Sequence, residues 1–317
     1  MPTPPRLDDP SHVARYGLGL DAGGTQTRWA LARSRAGVVA EGAVEAFSGW
    51  QMNLPDGPAA LRALLDDVRA GIGRHLPEGA RLHAVCAGLT GFDGDEAAPI
   101  AAVIAEACGI ATAAIVLYND IELACRAAHE PGAGYLVYAG TGSVAAFIDE
   151  AGVQHRAGGR GGLIDDGGSG YWIAREALRA VWRAEDERPG AWRQSLLAQA
   201  LFEHVGGSDW ARTRAYVYGA SRGQLGELAV AVGLAAQRGD AQAIEILDRA
   251  GAELARLGRV LVSRFGPRPV SLAGRAFALH PVIEATLREQ LAGLDVQPLR
   301  ELQAHRRAAE RALEIAA

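Results

Sequence analysis

The feature that most constrains this chain is a pattern that occurs twice. Residues 16–42, opening "YGLGLDAGGTQTRWALA", read as strand, Gly/Thr turn, strand, glycine-containing turn, strand. Residues 132–159, "GAGYLVYAGTGSVAAFIDEAGVQHRAGG", repeat that order and spacing with a Gly/Thr/Ser turn. Apolar residues bounded by turn chemistry mark strands. A supersecondary unit that recurs after a complete α/β half signals the duplication of a whole domain. At 317 residues the chain is too long for one compact core, and two domains are the natural expectation.

The segments between the repeats support this. A helix is expected over residues 59–76, apolar at Leu61, Leu64, Leu65, Val68 and Ile72, then a strand at 83–86, a helix at 96–108, a strand at 114–117 and a helix at 121–129. Pro131 and Gly132, with Gly134 just beyond, break the pattern at 129–133. The second half carries expected helices at 170–182, 191–204, 223–237 and 241–265, with Gly239-Asp240 as stop and N-cap. A strand at 269–272 and a terminal helix from about 299 complete the chain. Such alternation indicates α/β sheets with covered faces. The boundaries are a loose leader at 1–15, proline- and charge-rich with no apolar h-region, an N-terminal domain at 16–130 and a C-terminal domain at 131–317.

Composition narrows the function. The net charge of -5 and the lack of a long Arg run argue against a nucleic-acid or anionic-membrane surface. The basic cluster His305-Arg306-Arg307 reads as the solvated face of a helical tail, and no apolar run reaches the ~18 residues of a membrane span. Cys86, Cys108 and Cys125 form no CxxC and no metal spacing, which fits a reducing, cytoplasmic setting. All 32 basic residues are arginine. The missing lysine excludes the GxxxxGK[ST] phosphate loop, the protein-kinase strand lysine and Schiff-base chemistry together.

What remains is glycine, hydroxyl and carboxylate chemistry. A phosphate chain needs oriented donors without side-chain obstruction, and consecutive turn glycines at positive φ would leave N–H groups pointing into a concavity. Gly23-Gly24-Thr25, with Thr27 beyond, and Gly140-Thr141-Gly142-Ser143 both fit. Either cluster alone could be a plain hairpin turn; two at equivalent places favour a two-jawed phosphate clamp. "GTGSVA" also matches a GxGxxA dinucleotide fingerprint, but the residues after it read as strand where that motif needs a helix. Asp21 ends the first strand beside the clamp, where a carboxylate can hold magnesium through water. Asp120 ends another strand at the same sheet edge, with helix capping as its competing role. Asp165 and Asp166 lie in the glycine-dense "GGRGGLIDDGGSGYWI"; adjacent acids point different ways, so at most one serves a ligand.

Taken in order, "DAGGTQTRWAL", "AGLTG", "ND" before a helix, "YAGTGS", the glycine-dense loop and "LAVAVGLAAQRGDAQAIEILDRAGAEL" resemble the N-acetylglucosamine kinases. These are members of the BadF/BadG/BcrA/BcrD ATPase family within the actin, hexokinase and Hsp70 superfamily, and the likeness runs from Tyr16 over nearly the whole chain. The resemblance implies an α/β fold of two RNase H-like (actin-like ATPase) domains around an interdomain cleft, using ATP and Mg2+. By it, Asp21 is the magnesium-side acid, Gly23, Gly24, Thr25 and Thr27 with Gly140, Thr141, Gly142 and Ser143 hold the phosphates, and Ala273-Gly274 is the adenosine turn. Asp120 resembles the catalytic base and a sugar ligand, with Asn53, Gly159 and Asp166 as further sugar ligands. The implied activity is phosphorylation of a primary hydroxyl of an amino sugar, N-acetylglucosamine or glucosamine. The partners implied are a small-molecule sugar and a second copy in a homodimer, without nucleic acid or membrane.

Departures from the family pattern fall on the sugar side. Arg160 stands where the family has tryptophan, Gly167 where it has glutamate, and Leu54-Pro55 where an aromatic often comes after Asn53. Ala308-Ala309 replaces a terminal Gly-Ala pair. Two other roles known in such a family are an activator ATPase and a nucleotide-binding regulator without kinase activity. The former needs cluster cysteines in the second domain, and residues 126–317 have none.

Overall fold

The computed structural model describes residues 14–299 and 301–315, so the expected leader at 1–15 lies, but for its last two residues, outside the described residues. The first sheet takes β1 (Tyr16–Ala22), β2 (Thr27–Arg33) and β3 (Gly37–Val44) as an antiparallel meander. Helix α1 (Gly57–Gly73), β4 (Leu82–Leu89), α2 (Ala97–Cys108), β5 (Ile115–Asn119) and α3 (Asp120–Ala128) come next. β4 and β5 pair in parallel on the other side of β1, giving the order β3-β2-β1-β4-β5.

The second sheet repeats the plan. β6 (Tyr135–Ala139), β7 (Ser143–Ile148) and β8 (Gln154–Gly158) form the meander. Helices α4 (Gly170–Glu187), α5 (Leu196–Val205), α6 (Trp210–Gly219), α7 (Arg222–Gln237) and α8 (Ala241–Phe265) precede β9 (Val270–Ala273), α9 (Pro281–Gln290), β10 (Val296–Pro298) and α10 (Ala304–Ile315). The order β10-β9-β6-β7-β8, with β6, β9 and β10 parallel, is that of the first sheet. Duplication is therefore visible strand for strand.

Period-2 alternation decides which face is buried. Tyr16, Leu18 and Leu20 of β1 and Trp29 and Leu31 of β2 share a core with Leu61, Leu65 and Val68 of α1 and Ile100 and Ile104 of α2. In the second unit, Tyr135, Val137 and Phe147 pack against Ile173 and Ala177 of α4, Leu228 and Val232 of α7, and Leu247 and Leu254 of α8. Gly239 takes φ +87° and Asp240 caps α8, accepting from the Ala243 amide at 3.0 Å. The expected helix over 191–204 is instead a 3-10 turn, Ala191–Gln194, then α5 restarted by Ser195, which accepts from the Ala198 amide at 3.1 Å. α6, α9 and β10 are elements not anticipated from sequence.

The C-terminal helix corrects the expected division. The chain separates into one unit running to Ala127 and resuming at Gln303, and another from Ala128 to Leu302, so α10 belongs with the first sheet and not with residues 131–302. The physical reason lies in Gly17 and Gly19. A Cβ on Gly19 would stand 2.2 Å from the Ala309 nitrogen and 2.2 Å from the His305 oxygen, so helix and strand backbones touch where only hydrogens fit. Ala308, Ala309 and Ala312 are fully buried on that side. His305 is buried too, its Nε2 3.3 Å from Glu41, and Arg306 pairs with the same carboxylate, so the basic cluster is not simply a solvated face.

Candidate active site

In the first unit, chemistry gathers where β1, β4 and β5 end. Asp21 lies opposite Arg28 in the antiparallel ladder and beside Gly88 in the parallel one. Burial first, then the charge of Asp120, pushes its carboxyl up to about 6, with Arg28 opposing. Asp120 opens α3, its Oδ1 accepting from the Ile121 amide at 2.8 Å. The amide of Glu122, in the same first turn, donates to Asn119 Oδ1, also at 2.8 Å. The capping role therefore falls mainly to Asn119, and asparagine before the helix is the signal that could have revealed it.

Asn53 reaches this edge through backbone stitching. The Thr90 amide donates to Ala22 O at 2.9 Å, and the Gly49 amide donates to Thr90 O at 2.8 Å, which ties the 3-10 turn Gly49–Asn53 to the end of β1. Asn53 Nδ2 donates to Glu96 Oε1 at 2.7 Å. Glu96 is buried, and its second oxygen has no partner among the described residues. Sequence reasoning saw Glu96 only as a helix start.

The glycine turns work differently from the expectation. None of Gly23, Gly24, Gly140 and Gly142 has φ in the positive range, so these glycines supply space and not handedness. A Cβ on Gly24 would meet nothing within 4 Å. Thr25 is exposed at this turn, whereas Thr27 is wholly buried and its hydroxyl has no partner among the described residues. Ser143, expected on phosphate, is buried and donates to Gly167 O at 2.7 Å. The Ser143 hydroxyl is thus spent on Gly167 O, where a phosphate was expected, while that of Thr27 makes no such bond among the described residues.

In the second unit, the Gly140–Ser143 turn is anchored from behind by α4: the Gly170 amide donates to Gly140 O at 2.9 Å and the Tyr171 amide to Thr141 O at 3.3 Å. Ala273 and Gly274 end β9 beside this turn. Gly274 has φ +106°, and a Cβ there would lie 2.3 Å from Ala139 O. The adjacent loop does use left-handed glycine, Gly159 at φ +67°, and exposes both Gly159 and Arg160. Arg160 has no hydrogen-bond or ion-pair partner among the described residues.

The two loop acids diverge as expected. Asp165 pairs with Arg256 at 2.9 Å. Asp166 is buried, accepts from the Gly161 amide at 3.2 Å and pairs with Arg222 of α7, so both its oxygens are engaged within the protein. This differs from the expectation of an open sugar ligand. Arg222 was not anticipated; no local pattern ties it to an acid 56 residues away. At Gly167 a Cβ would stand 2.8 Å from Glu253 Oε2, so α8 fills the space that the family's glutamate would need.

Among the described residues, no three His, Cys, Asp or Glu side chains form a metal-binding group, and no helix is long and apolar enough to cross a membrane. Two sheets of one topology, each opening with a meander whose first hairpin carries a glycine turn, define the class: two RNase H-like domains of the actin-like ATPase fold. The chain belongs to the BadF/BadG/BcrA/BcrD ATPase family, whose profile matches residues 18–304. It is 27% identical over 243 residues to the N-acetylmuramic acid/N-acetylglucosamine kinase of Clostridium acetobutylicum, covering 76% of this chain and 77% of that one. The crystal structure of a candidate N-acetylglucosamine kinase from Chromobacterium violaceum matches with TM-score 0.74 at 27% identity, over 96% of this chain and 99% of the other. The ROK hexokinase of Thermus thermophilus shares the fold, with TM-score 0.59 at 18% identity over 94% of this chain and 97% of its own.

Proposed function

We propose that this chain is an ATP-dependent kinase that phosphorylates a primary hydroxyl of an amino sugar, N-acetylglucosamine or glucosamine. The observation that carries the reading is the pair Asp21 and Asp120 at one sheet edge, with the charge of one felt by the other. A sugar kinase needs a carboxylate to orient and deprotonate the hydroxyl and another to share a cation with the phosphates. Asp120 serves as the base: with Asn119 capping α3, its carboxylate is not the helix's principal cap. The names of the Clostridium and Chromobacterium relatives support the amino-sugar class.

The other roles are assigned on the same basis. A carboxyl titrating near 6 beside a second acid suits a divalent cation, which would relieve the repulsion; Asp21 would hold Mg2+ through water, and the metal would supply neutralisation of phosphate charge. Gly23 and Gly140 close their turns, their amides donating to Gln26 O at 3.1 Å and Gly142 O at 2.9 Å, so the amides of Gly24 and Thr25 in the first turn and of Thr141 and Gly142 in the second would serve the phosphates, and Ala273-Gly274 the adenosine side. Asn53, Gly159 and Arg160 address the sugar. The test is ADP release, by a coupled assay, over N-acetylglucosamine, glucosamine, N-acetylmuramic acid and glucose. Turnover on an amino sugar is expected; ATP binding without sugar-stimulated ADP release on any of them would refute the kinase reading and favour a nucleotide-binding regulator.

A further inference from the structure

The ion pair of Arg222 and Asp166 stands against the second glycine turn. A Cβ on Gly142 would lie 2.8 Å from Arg222 Nη2 and 3.1 Å from Asp166 Oδ2, so this pair fills the space the glycine leaves. The Asp166 side chain is 2% exposed and that of Arg222 47%, so the carboxylate is the inner end of the pair and the guanidinium the outer. Tyr171, whose amide holds the turn at Thr141, sets its ring centroid 5.9 Å from the guanidinium carbon. Gly162 closes the other side, where a Cβ would meet Arg222 Nε at 3.4 Å. The guanidinium is thus fixed by an acid, an aromatic ring and two glycines.

Its chemistry is underused within the protein. Of the five N–H donors of a guanidinium, only those on Nη2 have a partner among the described residues. The position is also electrostatically awkward. Arg222 is the first residue of α7, whose N-terminus carries the positive end of the helix dipole, and partial burial pulls its proton affinity down. A cation kept against both effects, and held by a buried acid, breaks a local rule in the manner of functional sites. An anion arriving at this turn would offset both penalties, and in a chain without lysine a permanently charged side chain at a phosphate site can only be arginine.

We propose that Arg222 is a nucleotide-phosphate ligand of this chain, positioned by Asp166 so that its free N–H groups meet the polyphosphate at the Gly140–Ser143 turn. The inference rests on the reading of that turn as a nucleotide site, and it moves Asp166 from the sugar to the support of Arg222. Asp166 is buried, with the Gly161 amide on Oδ1 and Arg222 on Oδ2, so its charge is spent on holding the guanidinium.

The test uses the full chain as wild type, Arg222→Gln, Arg222→Lys and the double variant Arg222→Gln/Asp166→Asn. The single Gln variant leaves Asp166 buried and unpaired, which is destabilising in itself; the double variant removes both charges and keeps the test valid if the single variant fails to fold. Calorimetric titration with Mg-ATP should show the Kd rising by about 10- to 100-fold in both Gln variants, the range for a lost charge-assisted hydrogen bond. Arg222→Lys, with the charge but not the fork, should fall between. The KM for the sugar should stay within about twofold, well under a tenfold step of 1.4 kcal/mol. A double variant that folds and binds ATP like wild type overturns the proposal, as does a rise in sugar KM with ATP affinity unchanged. Wild type that binds no ATP would sink the nucleotide reading and this inference together, an outcome distinct from wild type and variants binding equally.

Discussion

Asp21→Asn should make the metal-free protein more stable while removing its response to magnesium. In the folded chain the Asp21 carboxyl is pushed from 3.8 to about 6, chiefly by burial and then by Asp120. At 1.36 kcal/mol per pKa unit that rise is at most about 3 kcal/mol. Screening by water at this half-buried position reduces it, leaving roughly 1–3 kcal/mol. Because the folded value lies above the unfolded one, the folded state holds the proton more tightly. The contribution to stability is fully present below about 4 and is lost as pH rises through about 6. Asparagine has no such proton to lose. Urea denaturation in EDTA should therefore show the variant matching wild type at pH 4 and exceeding it by about 1–3 kcal/mol at pH 7.5. Adding Mg2+ with ATP should stabilise wild type by mass action and the variant far less. Asp120→Asn should recover only the smaller part of the same gain, since burial outweighs the neighbouring charge. A variant no more stable than wild type at pH 7.5 without metal would refute the account of Asp21 as a residue kept at a cost for ligand binding.

Other outcomes test separate links. Asp120→Asn should lower kcat by ~10² to 10⁴ through loss of the base, about 3–5 kcal/mol in the barrier, with the fold intact because Asn119 retains its cap; turnover near wild type would eliminate Asp120 as the base. Arg160→Trp, at an exposed position, should reorder the sugars in the ADP-release assay more than it alters the KM for ATP; equal loss on every sugar would make Arg160 structural. Gly19→Ala should cost about 1–3 kcal/mol or more in urea midpoint, since the new methyl meets the α10 backbone at 2.2 Å; a change below about 0.5 kcal/mol, typical of a neutral surface site, would contradict the docking of α10.

What the sequence disclosed depended on the range of the signal. The duplicated meander was legible because alternation and turn glycines are local, and the placement of Asp21 and Asp120 at strand ends was legible because the apolar runs of β1 and β5 stop beside them. β10 was not: only Val296 of its three residues is buried, too short a run to show a period. The place of α10 was half written. Glycines at 17 and 19 on one face of β1 and alanines at 308, 309 and 312 announce close approach somewhere, but small residues do not say to which partner. Gly142 shows the same limit at the site. From sequence its glycine means room for a phosphate; in the fold that room is taken on one side by Arg222 and Asp166, brought from two different elements. A glycine in a turn thus reports that something must come close, and only the tertiary structure distinguishes a ligand from the side chain that would hold it. If the guanidinium binds the phosphate, the two meanings are one: Gly142 is bare so that Arg222 can stand beside it.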